Sequence, residues 1–170
     1  MTGAPILTAM FGCAACLLLA VTPTTRPPRL VFNTTSSAPL GFYLVDASAP
    51  TVGDMVVVRP PRDLALWMAA RGYLPSNVPL IKRVAASGGQ TVCGHQGEVS
   101  IDGALVAKIL PRDRLGRRLT PFTGCVQLSD GDVFLLNTES PYGLDGRYFG
   151  PLPRDAVVGR ATAIWTWSAE

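Results

Sequence analysis

A mainly β globular domain behind an apolar N-terminal segment is the architecture that three features of the sequence predict. Short runs rich in Val, Ile, Leu and Thr recur along the chain, 15 Pro and 17 Gly separate them without a repeat, and only 16% of the residues are charged. Runs of this length between turn formers read as strands. Nowhere do they alternate with the long helical patterns of a βαβ fold. With 170 residues in all, the chain has room for one core of about 140 residues beyond the apolar segment.

Strands are expected at 41–45, 55–59, 79–86, 90–93, 99–101, 104–109, 125–128, 133–137 and 157–167. Asp102-Gly103, between Val-Ser-Ile and Ala-Leu-Val, is the signal of a two-residue hairpin. One short inserted helix interrupts the pattern: Asp63 stands as its N-cap, Leu64, Trp67 and Met68 share a face, and Gly72 and Pro75 end it. Residues 110–124 read as a polar, Arg-rich connection.

Residues 5–21 contain no charge, and the following Thr22-Pro-Thr-Thr-Arg-Pro-Pro-Arg29 cannot continue a helix. Two readings stand. The segment is either a short transmembrane helix, near the lower limit of what crosses a bilayer, or a signal peptide, against which counts the absence of a basic start. No Lys or Arg precedes it, so flanking charge does not orient it. The chain therefore divides into 1–29, a membrane anchor or signal segment with its linker, and 30–170, the globular domain.

The net charge of +3 is too small to imply nucleic-acid binding, and the basic stretch 112–118 includes Asp113 and no aromatic residue on which a base would stack. Cys13 and Cys16 lie inside the apolar run and read as packing residues. Cys93 and Cys125, each beside Gly, are able to form one disulfide if the domain lies outside the cytoplasm. With one distant His they make no zinc pattern. No phosphate loop or dinucleotide fingerprint is present, and neither metal nor cofactor is called for.

Candidate chemistry narrows quickly. His95 is the only histidine, it sits in Cys93-Gly-His-Gln-Gly97 between strands, and no Gly-x-Ser-x-Gly elbow accompanies it, so a loop residue is the simpler reading than a triad base. Asp130 and Asp132 flank Gly131 in a turn. Of the fifteen Lys and Arg residues only Lys82 and Lys108 are lysines, and only a lysine loses its proton readily when buried. On a strand from 79 to 86 the period of two puts Leu80, Lys82 and Val84 on one face. If that face is the core, desolvation frees the amine to accept a proton from a serine. Lys108, between Val106 and Leu110, shares the same parity, so spacing does not choose between them.

Three segments in order resemble the type I signal peptidase superfamily, and most closely its conjugative-transfer (TraF-type) branch. Asn33-Thr-Thr-Ser-Ser-Ala-Pro-Leu-Gly-Phe-Tyr43 is similar to the nucleophile box, Pro79-Leu-Ile-Lys-Arg-Val-Ala86 to the general-base box, and Ser140-Pro-Tyr-Gly-Leu-Asp-Gly-Arg-Tyr-Phe-Gly-Pro151 to the box that closes the site. Gly53-Asp-Met-Val-Val-Val58 adds to the match. The resemblance implies a signal-peptidase-like coiled β-sheet with Ser37 as nucleophile, Lys82 as general base, and Thr35 with the Ser37 N–H as oxyanion hole. It also implies a supporting ion pair of Asp145 with Arg147. General signal peptidases have the nucleophile three residues before Pro, which would be Ser36; the conjugative branch has it two before, at Ser37. Gly143 occupies the place where many relatives have a Ser that touches the Lys amine.

By the same resemblance the chain is expected to be an inner-membrane serine endopeptidase with its domain on the periplasmic side. It would process a membrane-associated precursor such as a conjugative pilin subunit, by hydrolysis or by acyl transfer to a cyclic product, among the components of a conjugation or type IV secretion apparatus. Only the stretch from Val21 to Ser37 separates the apolar segment from the nucleophile, about 50 Å fully extended, which keeps the site near a bilayer. The alternatives are a general leader peptidase and a non-catalytic scaffold of a secretion apparatus. A LexA-like self-cleaving repressor is disfavoured because no helix-turn-helix is seen.

Overall fold

The computed structural model of the chain describes residues 29–168. The expected transmembrane helix and Cys13 and Cys16 lie outside the described residues. Among the described residues, no helix is long and apolar enough to cross a membrane.

Among the described residues there are eleven strands and two short α-helices: β1 (Arg29–Asn33), β2 (Leu40–Asp46), β3 (Met55–Val58), α1 (Arg62–Ala70), β4 (Leu80–Ser87), β5 (Thr91–His95), β6 (Glu98–Ile101), β7 (Ala104–Lys108), β8 (Gly124–Gln127), β9 (Asp132–Leu136), α2 (Gly146–Phe149), β10 (Leu152–Pro153) and β11 (Val157–Trp167). A seven-stranded antiparallel sheet runs β1-β2-β11-β3-β4-β9-β10, and a four-stranded one runs β7-β6-β5-β8. The mainly β expectation holds, and each expected strand is found to within a few residues.

The apolar run of β3 explains the layering. Val56, Val57 and Val58 are all buried, so this strand lies inside the sheet with both faces covered. Val56 and Val58 join Met68 of α1, Leu80, Val84 and Leu135 in one cluster, whereas Val57 joins Tyr43, Val45, Ile81 and Ala161 in another. A third cluster packs Val92, Val99 and Ile101 of the small sheet against Phe134 and Leu136 of β9. Successive β9 residues therefore serve two cores, and that joins the sheets.

Four local expectations are corrected. Helix α1 begins at Arg62 behind Pro61, and Asp63 lies in its first turn without capping a backbone N–H; proline already sets the entry angle. At its other end Gly72 (φ +68°) donates to Ala69 O and Tyr73 N–H to Met68 O, the paired bonds of a glycine-ended helix, as expected. His95 belongs to β5, paired with Glu98, rather than to a loop. β1 was not anticipated because its five residues sit between Pro28 and a hydroxyl-rich turn, with Leu30 and Phe32 exposed rather than buried. The second helix, α2, was hidden by its length of four residues.

At Asp102-Gly103 the hairpin forms as expected, with φ of +50° and +81° at its two central residues. Cys93 and Cys125 lie directly opposite each other on β5 and β8 and are joined by a disulfide. Gly41 is required for a different reason: a Cβ there would stand 2.1 Å from Trp165 O, where β11 bulges against β2. That close approach holds β11 against β2 beneath the turn from β1 to β2.

Candidate active site

Ser37 sits at the tip of the β1–β2 hairpin, and the sequence before it builds that tip. Asn33, the buried last residue of β1, donates through Nδ2 to the carbonyls of Thr35, Ala38 and Pro39, at 3.0, 3.1 and 2.9 Å. Its Oδ1 accepts from the Thr35 N–H and hydroxyl. Tyr43 adds a hydroxyl bond to Pro39 O at 2.7 Å. One buried amide thus fastens the turn from within, which lets a run of hydroxyl residues hold a single shape.

Lys82 comes from β4, opposite Val56 of β3, and only 2% of it is exposed. Its Nζ lies 3.1 Å from Ser37 Oγ. Burial pulls its pKa down to about 8, since desolvation disfavours the ammonium; the Asp145 carboxylate pushes the other way and the Arg147 guanidinium assists. Lys108, by contrast, is exposed at the end of β7 opposite Glu98, and His95 is exposed on the small sheet. Neither lines the cleft that Ser37 and Lys82 share. Strand position separates the two lysines that share this parity: β4 has neighbours on both sides and β7 is an edge.

Asp145 and Arg147 form a fully buried, two-pronged ion pair, Nε to Oδ1 and Nη2 to Oδ2, both at 2.8 Å. Arg147 also donates to the carbonyls of Ser140, Pro141 and Gly143, so it ties the closing loop to the pair. A Cβ on Gly143 would meet Arg147 Nη2 at 3.1 Å and Asp145 Oδ2 at 3.3 Å. Glycine here lets the guanidinium fork reach the loop carbonyl, and a serine would crowd it.

Two further observations qualify the resemblance. The Thr35 hydroxyl is committed as a donor to Asn33 Oδ1 at 2.9 Å, so it is turned away from a role as oxyanion donor in this structure. No acceptor among the described residues meets the Ser37 N–H. Asn137, just beyond β9, was not anticipated: it is buried and donates through Nδ2 to Ser37 O. Its only sequence signal was position, directly after an apolar strand and ahead of the Ser140 box.

Around Ser37 the surface hollows into a cleft of about 210 Å³ with apolar walls from Met68, Leu74, Leu80, Ile81 and Leu144. A second hollow of about 290 Å³, which also meets Ser37, is polar, with Ser36, Glu139, Ser140 and Ser168. Arg114, whose guanidinium lies 4.9 Å above the Tyr142 ring, borders both. The Arg-rich connection is held against the domain by Asp113, which accepts from Tyr73 and Arg117, both at 2.6 Å. Among the described residues, no cluster of three or more His, Cys, Asp or Glu is placed to hold a metal.

Comparison with known proteins agrees with the three boxes. A family model described as "Signal peptidase, peptidase S26" matches residues 5–167. The chain belongs to the signal peptidase family. It is 39% identical to the "Probable conjugal transfer protein TraF" of Sinorhizobium fredii, over 80% of this chain and 77% of that one. It is 36% identical to the "Conjugal transfer protein TraF" of Agrobacterium fabrum, over 79% of this chain and 81% of that one. A "Probable signal peptidase I-1" of Synechocystis is 31% identical over 66% of this chain and 53% of its own length. As a signal peptidase family member the chain is a peptidase, and the mainly β fold agrees with that membership.

Proposed function

We propose that this protein is a membrane-associated serine endopeptidase, with Ser37 as nucleophile and Lys82 as general base, that processes a pilin-like precursor during conjugation. One observation carries the reading: a buried lysine amine 3.1 Å from a serine hydroxyl at the mouth of a cleft. The pKa of that amine, lowered to about 8, leaves a fraction neutral at physiological pH.

Neutral Lys82 Nζ takes the Ser37 proton as Oγ attacks the scissile carbonyl carbon. The oxyanion accepts a hydrogen bond from the Ser37 N–H. The carbon–nitrogen bond then breaks, and the Lys82 ammonium returns the proton to the departing amine. The resulting ester on Ser37 is released by water or by a peptide amine, the second route giving a joined or cyclic product. The apolar hollow accepts the small residue before the cut, and the polar hollow receives the residues after it.

Placement at the inner membrane, facing the periplasm, is supported by surface chemistry. Leu30, Phe32, Leu44, Trp165 and Trp167 are exposed on the outermost strands β1, β2 and β11, next to the hairpin that carries Ser37. Phe32 packs its ring 4.7 Å from Phe42 and 6.2 Å from Trp167. Aromatic rings in such a band settle at the headgroup level of a bilayer. The Cys93–Cys125 disulfide fits an oxidising compartment. A role in conjugation rests on the relatives bearing the name of conjugal transfer proteins.

The decisive experiment incubates the full chain in detergent with candidate pilin precursors and weighs the products. Loss of processing in Ser37→Ala with the fold retained supports the enzyme. Processing that survives that change, or that disappears in His95→Ala, overturns it.

A further inference from the structure

The last paired rung between β4 and β9 joins Arg83 to Leu136, and there β9 ends. The next groups of β4 on that side, the Ile81 carbonyl and the Arg83 N–H, lie directly before and after Lys82 and have lost their strand partner. Asn137 replaces it with a side chain. Its Oδ1 accepts from Arg83 N–H at 3.0 Å, and its Nδ2 donates to Ile81 O at 3.2 Å. A carboxamide has the same donor and acceptor as a peptide group, so it adds one rung to the ladder. Its second amide hydrogen goes to Ser37 O. The Asn137 backbone N–H, freed from the ladder, donates to Asp145 Oδ2 at 3.1 Å.

Asn137 is 5% exposed, and one residue therefore binds all three parts of the site: the serine turn, the peptide groups on either side of the lysine, and the buried ion pair. Aspartate, of the same shape, would retain the acceptor for Arg83 and lose both donors. We infer that Asn137 is a positioning residue that sets the separation of Ser37 Oγ and Lys82 Nζ by clamping the Ser37 carbonyl to the strand that carries Lys82. In this chain Gly143 offers no side chain to the amine, and the clamp works from the backbone side instead. The inference rests on Ser37 and Lys82 being the nucleophile and the base.

The test compares the full chain in detergent as wild type, Ser37→Ala, Asn137→Ala and Asn137→Asp. The substrate is an internally quenched peptide with small residues before the scissile bond. With only two lysines in the chain, uniform labelling of lysine with carbon-13 gives one resolvable Cε signal each for Lys82 and Lys108, and both are titrated in each variant. For Asn137→Ala, kcat falls about a hundredfold while KM changes less than threefold, the size expected when reacting groups shift by about 1 Å. In Asn137→Asp the Lys82 titration also moves to higher pH, because an anion faces the site, while the Lys108 signal does not move.

Asn137 is refuted as a clamp if wild type cuts the peptide, Ser37→Ala does not, and both Asn137 variants keep kcat within threefold with Lys82 titrating as before. Variants that lose activity only in proportion to the unfolded fraction, judged from the Lys108 signal and thermal melting, refute it as well. Equal cutting by wild type and Ser37→Ala, or by neither, refutes instead the reading of the site on which the clamp depends.

Discussion

Lys82 Nζ lies 3.1 Å from Ser37 Oγ although 45 residues separate them in the chain. The hydroxyl comes from a hairpin tip and the amine from a central strand, and the buried setting of the amine makes the pair responsive to pH. With a pKa of about 8, the neutral form grows tenfold per pH unit below that value and saturates above it. kcat/KM is expected to follow that curve, with its midpoint near 8, in a stopped assay across pH 5–10. Lys82→Met abolishes it, and Lys108→Met leaves it unchanged.

The same amine couples pH to stability. In the unfolded chain Lys82 titrates near its ordinary value of 10.5 and in the folded one near 8, so between these values the unfolded state binds more protons and stability rises with pH. Lys82→Met removes that dependence. Denaturant melts should show the Met variant more stable at pH 7 by about 3 kcal/mol, the equivalent of that shift, with the advantage shrinking through pH 8–10.5.

Arg147 and Asp145 oppose each other in their effect on Lys82. In Arg147→Met the Asp145 carboxylate stays buried without its partner, which costs about 3–5 kcal/mol. The midpoint of the pH–rate curve then moves up. Asp145→Asn moves it down. Melting curves read the first effect, and activity profiles of the folded protein read the second.

Reducing the Cys93–Cys125 bond, or replacing both residues by Ser, removes a cross-link spanning 32 residues. The loop-closure relation gives a loss of about 3–4 kcal/mol. The bond lies in the small sheet, away from Ser37 and Lys82, so the folded fraction is expected to keep the wild-type turnover. A denaturant midpoint with and without reductant checks this.

Of the three tryptophans, Trp67 stacks on Tyr73 beside the core, whereas Trp165 is 68% and Trp167 43% exposed. In vesicles whose acyl chains carry bromine, the fluorescence of wild-type protein should be strongly quenched. The double change Trp165→Phe and Trp167→Phe should leave a small residual quench from Trp67. Equal quenching in both would remove the case for a bilayer-facing β1–β2–β11 surface.

Most strands and the Asp102-Gly103 hairpin were legible in the sequence because alternation and turn chemistry are local, readable within a few neighbours. So was the chemistry on offer: one histidine, two lysines, and a hydroxyl run ahead of Pro-Leu-Gly. Three ordered boxes then carried the family. Asp63 does not cap α1 because the helix starts one residue earlier, at Arg62 behind Pro61, which puts Asp63 inside the first turn, and β1 leaves little trace because an edge strand with its apolar residues outward lacks the pattern of a half-buried one.

Which lysine loses its water, and which residue holds the serine beside it, only the tertiary structure decided. Lys82 and Lys108 have the same parity and similar neighbours along the chain, and desolvation depends on whether other strands cover both sides, which the pairing of β4 between β3 and β9 determines. Asn137 acquires its role because β9 stops one rung short of Lys82. A hydrogen bond between residues 100 positions apart leaves no local trace, because its partners meet only after the strands have paired.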